Sequence, residues 1–453
     1  MQYSLIIKIG LLAVVGLLLL IPLEMIFGVV SERSSYRLQV EREIAQSWTG
    51  TQILSGPILV LPYEVEYDVE FWDKNLEEYV TQKKSQWEEA YIVPEMLTID
   101  SSVATEKRWR GLYGVPVYTG EFSLIGQIDP NTFLEVSSSV EGFKTSGTPS
   151  LSIHVQDVRG IGLNPKLIWQ GETLGFESGT TLNHLPSGIH AVLPELGSTQ
   201  GQAIKFEISM ELRGSRQLML VPTGENSRVT VSSPWPHPSF TGKFLPTQHQ
   251  IDSDGFFAEW QVSSFSTSLK QTVDTCLNSG CRSLLDTAFG IGFIDTVDIY
   301  QQVTRATKYG VLFILLTFVV FFLTEVFVAS PLHPIHYGLV GFALTVFFLL
   351  LLSLSEHIGF GLAYGISALA CVGLLSFYMR GVLQSRAHAV LYSVGLIFLY
   401  LTLYVILQAE DFALLMGSVL LFIVLSTVMI ITRKVDWYRL SDRLVTSNTQ
   451  GVE

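Results

Sequence analysis

Two hydrophobic patterns divide the chain. Residues 5–30 and most of 309–431 are long apolar runs, and between them apolar and polar residues alternate. Six runs reach membrane length: 5–30, 309–329, 335–354, 358–379, 389–407 and 412–431. Each holds on the order of 20 mostly apolar residues, enough to cross ~30 Å of hydrocarbon. The first carries Lys8 near its start and Glu24 near its end, with no small-residue cleavage pattern before Ser31. It is therefore expected to stay attached as a signal anchor and not to be removed as a signal peptide.

After the first run, "SSYRLQVEREIAQSWTG" spaces Leu38, Val40, Ile44 and Trp48 roughly as a helix does. Ser34 or Ser35 can cap the start of that helix and Gly50 can end it. Beyond Gly50 the period changes to two. In "YEVEYDVEFW" Tyr63, Val65, Tyr67, Val69 and Phe71 alternate with Glu64, Glu66, Asp68 and Glu70, as a strand with one acidic face would. "GEFSLIGQI", "SLSIHVQDV", "AIKFEISMEL", "RVTVSS" and "FFAEWQVSSF" read the same way, and "DSDG", "PTGEN" and "ESGT" supply turns. The charged stretch "DKNLEEYVTQKKSQWEEA" reads as a long hairpin or a solvated loop. The expected architecture is an α-helical integral membrane protein of about six transmembrane helices. A large β-rich domain, antiparallel and sandwich-like, is inserted after the first helix. The expected division is an anchor at 1–30, a β-rich domain at 31–305, a five-helix bundle at 306–432 and a tail at 433–453.

Composition sharpens this picture. The 453 residues carry a net charge of −13 and a mean hydropathy of +0.38, and most acidic residues fall in the middle section. Without a basic stripe there is no electrostatic footprint for nucleic acid. Orientation follows from Lys and Arg in the short loops. Arg380 and Arg386 mark one loop as cytoplasmic, and Arg433, Lys434, Arg439 and Arg443 mark the tail. The 408–412 loop has Glu410 and Asp411 and no base. Both termini are thus expected inside and the 31–305 domain outside. Cys276 and Cys281, in "TCLNSGCRS", then lie where oxidation is permitted, as a short-loop disulfide or as two free thiols. Cys371, in a span, reads as packing.

Chemistry-bearing motifs are few. The sequence contains no H-E-x-x-H, P-loop, G-x-S-x-G or S-x-x-K pattern. The acidic face of 63–71 reads as a solvent face that protects a sheet edge, with cation binding as the lesser alternative. "DSDG" lacks the later ligands of a calcium loop. His333, His336 and Glu325 give zinc a bare minimum of ligands, and a proline-pinned turn at the membrane surface accounts for the histidines better. Glu325, an ionisable group in a span, is either a proton-relay candidate or a side chain that snorkels from the nearby helix end. Glu356 and His357 emerge at the opposite face, ~30 Å away. With Glu410 and Asp411 they would form an acidic rim. The plain reading of that rim is interfacial loop residues; the sharper one is a point coupling the bundle to the domain. Gly361 and Gly365 form a small-xxx-small face suited to close helix packing, within the chain or between copies.

Several long stretches together resemble the CreD family of inner-membrane, cell envelope integrity proteins. They are "GLLLLIPLEMIFGVVSERSSYRLQVEREIAQSWTGTQILSGPILVLPY", "RGLYGVPVYTGEFSLIGQ", "KYGVLFILLTFVVFFLTEV" and "HPIHYGLVGFALTVFFLLLLSLSEHIGFGLAYG". The resemblance implies the inner membrane of a Gram-negative bacterium, a periplasmic place for the β-rich domain, and a part in envelope stability under the CreB–CreC two-component system. It supplies no catalytic residues. The expected function is thus non-enzymatic, without cofactor or metal. The expected partners are membrane lipid, other envelope proteins and a second copy of the chain. A transporter or flippase-like role for a lipid or envelope precursor is the alternative, favoured by a polar cavity around Glu325. A membrane-bound hydrolase is the third class, and it lacks a convergent nucleophile and base in the sequence.

Overall fold

The computed structural model describes residues 3–73, 78–194, 202–293, 299–328, 333–382, 386–409 and 412–433. They form two compact units, one of residues 1–38 with 297–453 and one of residues 39–296.

The chain opens on α1 (Tyr3–Ser47), a single helix of 45 residues. At 1.5 Å per residue it is about 68 Å long, far more than a span requires. The separate helix expected from Ser34 or Ser35 is therefore not separate. Residues 29–47 contain no Gly or Pro, so nothing interrupts the backbone ladder, and both serines sit inside the helix.

The strands of the first half are β1 (Gln52–Asp73), β2 (Glu78–Ile92), β3 (Met96–Arg110), β4 (Tyr113–Ile128), β5 (Phe143–Ser146), β6 (Ser150–Val155), β7 (Lys166–Trp169) and β8 (Glu172–Gly175), with α2 (Asn131–Ser139) between β4 and β5. Then come β9 (Glu177–Ser178), β10 (Gly188–Val192), β11 (Ile204–Ser215), β12 (Gln217–Val221), β13 (Asn226–Ser233), β14 (Pro238–Gly242), β15 (Gln248–Asp252) and β16 (Gly255–Ser263). Three short helices, α3 (Ser264–Thr267), α4 (Leu269–Asn278) and α5 (Arg282–Leu285), precede β17 (Phe289–Phe293).

One sheet runs β14-β17-β12-β1-β6-β10-β9, with β2 and β5 also paired to β1; the other runs β15-β16-β13-β3-β4-β11-β7-β8. A shared apolar core lies between them. β11 shows why. Ile204, Phe206, Ile208, Met210 and Leu212 point inward and alternate with Lys205, Glu207 and Ser209, which face out. Trp260 of one sheet lies 5.3 Å from Phe289 of the other, centroid to centroid. The sandwich is as expected, but the pairing is mixed: β1 runs parallel to β12 and β3 parallel to β13. Alternation reports which face is buried and carries no information on the direction of a partner 130 or 166 residues away. "DSDG" is the tight turn between β15 and β16, where Asp252 pairs with Gly255.

The charged stretch forms a hairpin arm. β1 and β2 stay in register from Leu59↔Ile92 out to Asp73↔Glu78. Near the base Tyr63 and Val65 are buried while Trp87, opposite Glu64, is exposed; further out both faces meet solvent and Tyr67, Phe71, Trp72 and Tyr79 are exposed.

The last two turns of α1 are clasped by arginines within the β-rich unit. Arg110 pairs with Glu43 at 2.9 Å and Arg216 with Glu41 at 3.2 Å. Arg159 donates to the Gln46 carbonyl at 2.6 Å. The Trp48 ring, just past the helix end, lies 4.8 Å from the Arg108 guanidinium and 5.7 Å from that of Arg213.

The other unit is helical: α6 (Ile299–Val328), α7 (Pro334–Ile358), α8 (Phe360–Val382), α9 (Arg386–Gln408) and α10 (Ala413–Thr432) join the first part of α1. Among the described residues five helices, α1 and α6 to α9, are long and apolar enough to cross a membrane. The expected sixth, α10, has a shorter apolar stretch at Leu415–Ile430.

Candidate functional site

Glu356 and His357 close α7, whose end is fixed by Gly359 at φ +78°. That backbone conformation is open to glycine at little cost and ends a helix abruptly. Successive helix residues diverge by about 100°, so the two side chains part. His357 is exposed, and among the described residues its Nδ1 meets the Ser353 carbonyl of its own helix, at 3.1 Å. Glu356 turns inward. The Tyr300 hydroxyl of α6 donates to its Oε1 at 3.0 Å, and Arg33 Nε of α1 is 4.0 Å from the same oxygen. Arg33 is half exposed, so the pair is worth well under about 1 kcal/mol, and the Tyr300 hydrogen bond does most of the positioning. One carboxylate thus grips α1 shortly before the chain enters the β-rich unit and α6 shortly after it leaves. Glu410 and Asp411 lie outside the described residues.

Glu325 does not snorkel. It is buried in the bundle, and the Tyr337 hydroxyl of α7 donates to its Oε2 at 2.9 Å. A neighbouring helix offers a hydrogen bond, and a carboxylate in a low-dielectric bundle gains more from that donor than from reaching for the interface. His336 and His333 have other duties. His336 Nδ1 is 2.6 Å from the Tyr378 hydroxyl of α8, and His333 caps α7 by accepting the Ile335 amide at 3.3 Å. Among the described residues no group of three or more His, Cys, Asp or Glu is placed to hold a metal.

The interior around these groups is aromatic. Tyr337 packs edge-on against Phe321 (4.5 Å) and Phe318 (5.6 Å). Phe347, Tyr400 and Phe313 meet edge to face in a chain at 4.9 and 4.7 Å. Helices meet closely at two glycines. A Cβ on Gly341 of α7 would collide with Leu19 of α1, and one on Gly310 of α6 would stand 3.0 Å from Leu23. A Cβ on Gly361 would meet only the Tyr404 hydroxyl, at 3.5 Å, and Gly365 faces open space. Sequence reasoning did not single out Gly310 and Gly341, because which glycine touches a neighbour depends on how the helices are arranged.

In the β-rich unit Cys276 and Cys281 are joined as a disulfide between α4 and α5, buried in a small core of Ile58, Val60, Val221, Leu269, Val273 and Leu284. On the same outward side of β6 and β1 lie Ser152, His154 and Ser55, all buried. His154 Nδ1 is 2.7 Å from the Ser187 carbonyl, while its Nε2 and the Ser55 hydroxyl have no hydrogen-bond partner among the described residues. Burial pushes the His154 imidazole below its ordinary value, against smaller opposing pulls from the Ser187 carbonyl and the Gln156 side chain.

Apolar helices flanking a large inserted β-sandwich define an integral, multi-pass membrane protein with a folded domain outside the bilayer. Residues 4–438 match the family described as "Inner membrane protein CreD", and the chain belongs to that family. It is 37% identical over 425 residues to the inner membrane protein CreD of Escherichia coli strain K12, covering 94% of this chain and 92% of that protein. Among solved structures, an M1 zinc metallopeptidase from Deinococcus radiodurans aligns over 38% of each chain at 10% identity and a TM-score of 0.20. A two-domain M1 zinc metallopeptidase aligns over 48% of this chain and 55% of that one at 8% identity, also at 0.20. At that score neither likeness transfers a fold or a chemistry.

Proposed function

We propose that the protein supports cell envelope integrity without catalysing a reaction, within the response governed by the CreB–CreC system. In this reading the termini are cytoplasmic and the β-rich unit is periplasmic and recognises another envelope component. Glu356 couples the bundle to that unit. The observation that carries the reading is the grip of Glu356 on Arg33 and Tyr300, which sit on the two stretches of chain leading into and out of the domain. A change in the tension or angle of either stretch would be felt at one half-buried carboxylate.

The test is complementation. In a strain lacking the gene, detergent sensitivity and leakage of a periplasmic enzyme are compared for wild type, Glu356→Ala, Tyr300→Phe and His357→Ala at matched membrane levels. The reading expects Glu356→Ala and Tyr300→Phe to fail and His357→Ala to rescue. Full rescue by Glu356→Ala would move the search to the surface of the β-rich unit. A second reading, transport of a lipid or envelope precursor, is favoured by the buried Glu325–Tyr337 pair, since a carboxylate inside a bundle is costly unless it has a task.

A further inference from the structure

The hairpin arm leaves a long strand edge open. Among the described residues β2 pairs with β1 alone. Residues 81–88 are all exposed, so the amides and carbonyls of its outer edge meet solvent there. The Trp87 ring does not fold over that edge. It leans the other way, across β1, where a Cβ on Gly147 would stand 3.1 Å from it. Gly147 donates its amide to the Pro62 carbonyl of β1 at 2.7 Å, on the side away from β2.

An open edge invites pairing, and charge is a common protection. Charge of one sign protects because copies that meet there repel. The outer stretch of β1 has that protection: it carries Asp68, Glu70 and Asp73 and no base. β2 instead carries both signs, as Glu78, Lys83, Lys84, Glu88 and Glu89.

Two copies of one strand pair antiparallel about a twofold axis. Outward-facing amides must then meet outward-facing amides, which leaves only registers centred on a residue. Centred on Lys83 or Lys84, base lies against base; centred on Glu88, acid lies against acid. Centred on Gln86, Lys84 lies opposite Glu88 and Lys83 opposite Glu89, and the symmetry repeats both pairs. That register gives four pairs of opposite charge and no like pair, the favourable arrangement for residues directly across a sheet. Lys83 reaches Glu66 of its own arm at 2.7 Å, but that pair is exposed and holds weakly. Glu89 accepts from the Asn183 side chain at 2.9 Å, and a carboxylate has capacity for a lysine as well.

We propose that the protein forms a dimer through the outer edges of β2, paired antiparallel about Gln86. The two hairpins then make one four-stranded sheet. A two-stranded ribbon in water is marginal alone, and this pairing supplies the further strands that an arm reaching beyond its core lacks. The occupant of the edge is a second copy because the charge pattern complements itself. The inference does not rest on the proposed envelope role.

The test is cysteine cross-linking of the full-length protein, oxidised in native inner membranes at matched levels. Gln86→Cys lies opposite its own copy at about 4.5–5.5 Å between Cα atoms, within reach of a disulfide. Gln82→Cys lies opposite Ala90 and about 27 Å from its own copy. Gln86→Cys is expected to give at least tenfold more covalent dimer than Gln82→Cys. Adding Lys84→Glu should cut that dimer at least fivefold, and adding Glu88→Lys as well should bring it back within twofold. Wild type, whose cysteines are the Cys276–Cys281 disulfide and the buried Cys371, should give none. Equal yields from Gln86→Cys and Gln82→Cys would overturn the proposal, as they would mean random collision. So would no dimer from Gln86→Cys, or a yield indifferent to Lys84→Glu. A Gln86→Cys product with the mass of this chain joined to a different protein would also overturn it, because the edge would then have another occupant. Both cysteine positions are exposed, so neither substitution disturbs the core.

Discussion

At the scale of single residues, His154 ties the β-rich unit to pH. Its Nδ1 faces the Ser187 carbonyl, an acceptor only, so the neutral ring carries its proton there. The other nitrogen, Nε2, is buried and makes no hydrogen bond among the described residues, and the Gln156 side chain near the ring only partly offsets that burial. Protonating it would bury a charge. The folded value is lowered, so the unfolded chain binds the proton first as the pH falls. Stability is therefore complete above about pH 6.5, the unfolded value, and declines below it by up to about 1.4 kcal/mol per pH unit until the folded value is reached. Thermal unfolding of the intact protein in detergent, followed by β-sheet circular dichroism between pH 7.5 and 5, should show a falling midpoint. His154→Asn, which cannot titrate, should flatten that fall. If the two midpoints drop in parallel, some other group is responsible. The strand "SLSIHV" was legible in the sequence, and with it the outward side on which His154 sits. The loop that covers that side, around Thr181 and Ser187, was not, because its contacts with β6 bridge residues some 30 apart that no local pattern links.

Among elements, the pairing of α1 with α7 and the hairpin arm make opposite predictions. Gly341 lets Leu19 of α1 lie against the α7 backbone, so Gly341→Leu forces the two helices apart and should cost about 1–3 kcal/mol, read as a lower unfolding midpoint in detergent. Gly365→Leu, facing open space, should leave the midpoint unchanged. The arm should behave the other way. Trp72, Tyr79 and Trp87 are exposed, at 50%, 70% and 60%, so replacing all three with Ser should cost little beyond the Trp72–Tyr79 ring contact, about 0.5–1.5 kcal/mol in all. If the arm is the recognition surface, that variant should nevertheless lose complementation, and full rescue would remove the arm from consideration. Amphipathic alternation in "YEVEYDVEFW" announced a strand with an acidic face, and the base of β1 has its buried apolar side. What the alternation hid is that Tyr67 and Phe71, apolar by pattern, are 41% exposed and lie outside the core. Periodicity records which residues share a face and is silent on whether anything covers it. The same limit explains the unbroken α1: capping residues mark a helix start only where the chain turns, and here nothing makes it turn.

For the whole molecule the open quantity is the parity of membrane crossings, and α10 decides it. Five helices meet the length and apolarity needed for crossing, which would leave the two termini on opposite sides. α10 has 20 residues with no ionisable side chain in Ala413–Thr432, about 30 Å of helix, just sufficient for a sixth crossing. Arg433, Lys434, Arg439 and Arg443 follow it directly, and basic residues near a helix end hold that end in the cytoplasm. Arg380 and Arg386 pull the connection between α8 and α9 to the same side, while the 408–412 stretch carries acid and no base. Only a sixth crossing satisfies all three. Alkaline phosphatase, active only once exported, should therefore work when fused after residue 300 or 409 and stay inactive when fused after 384 or 445. A fluorescent protein that matures only in the cytoplasm should give the reverse pattern. If phosphatase is active at 445 and at 409, α10 lies along the membrane surface without crossing. The tail's four basic residues would then face anionic headgroups on the outer side, and the proposed cytoplasmic C-terminus would be wrong.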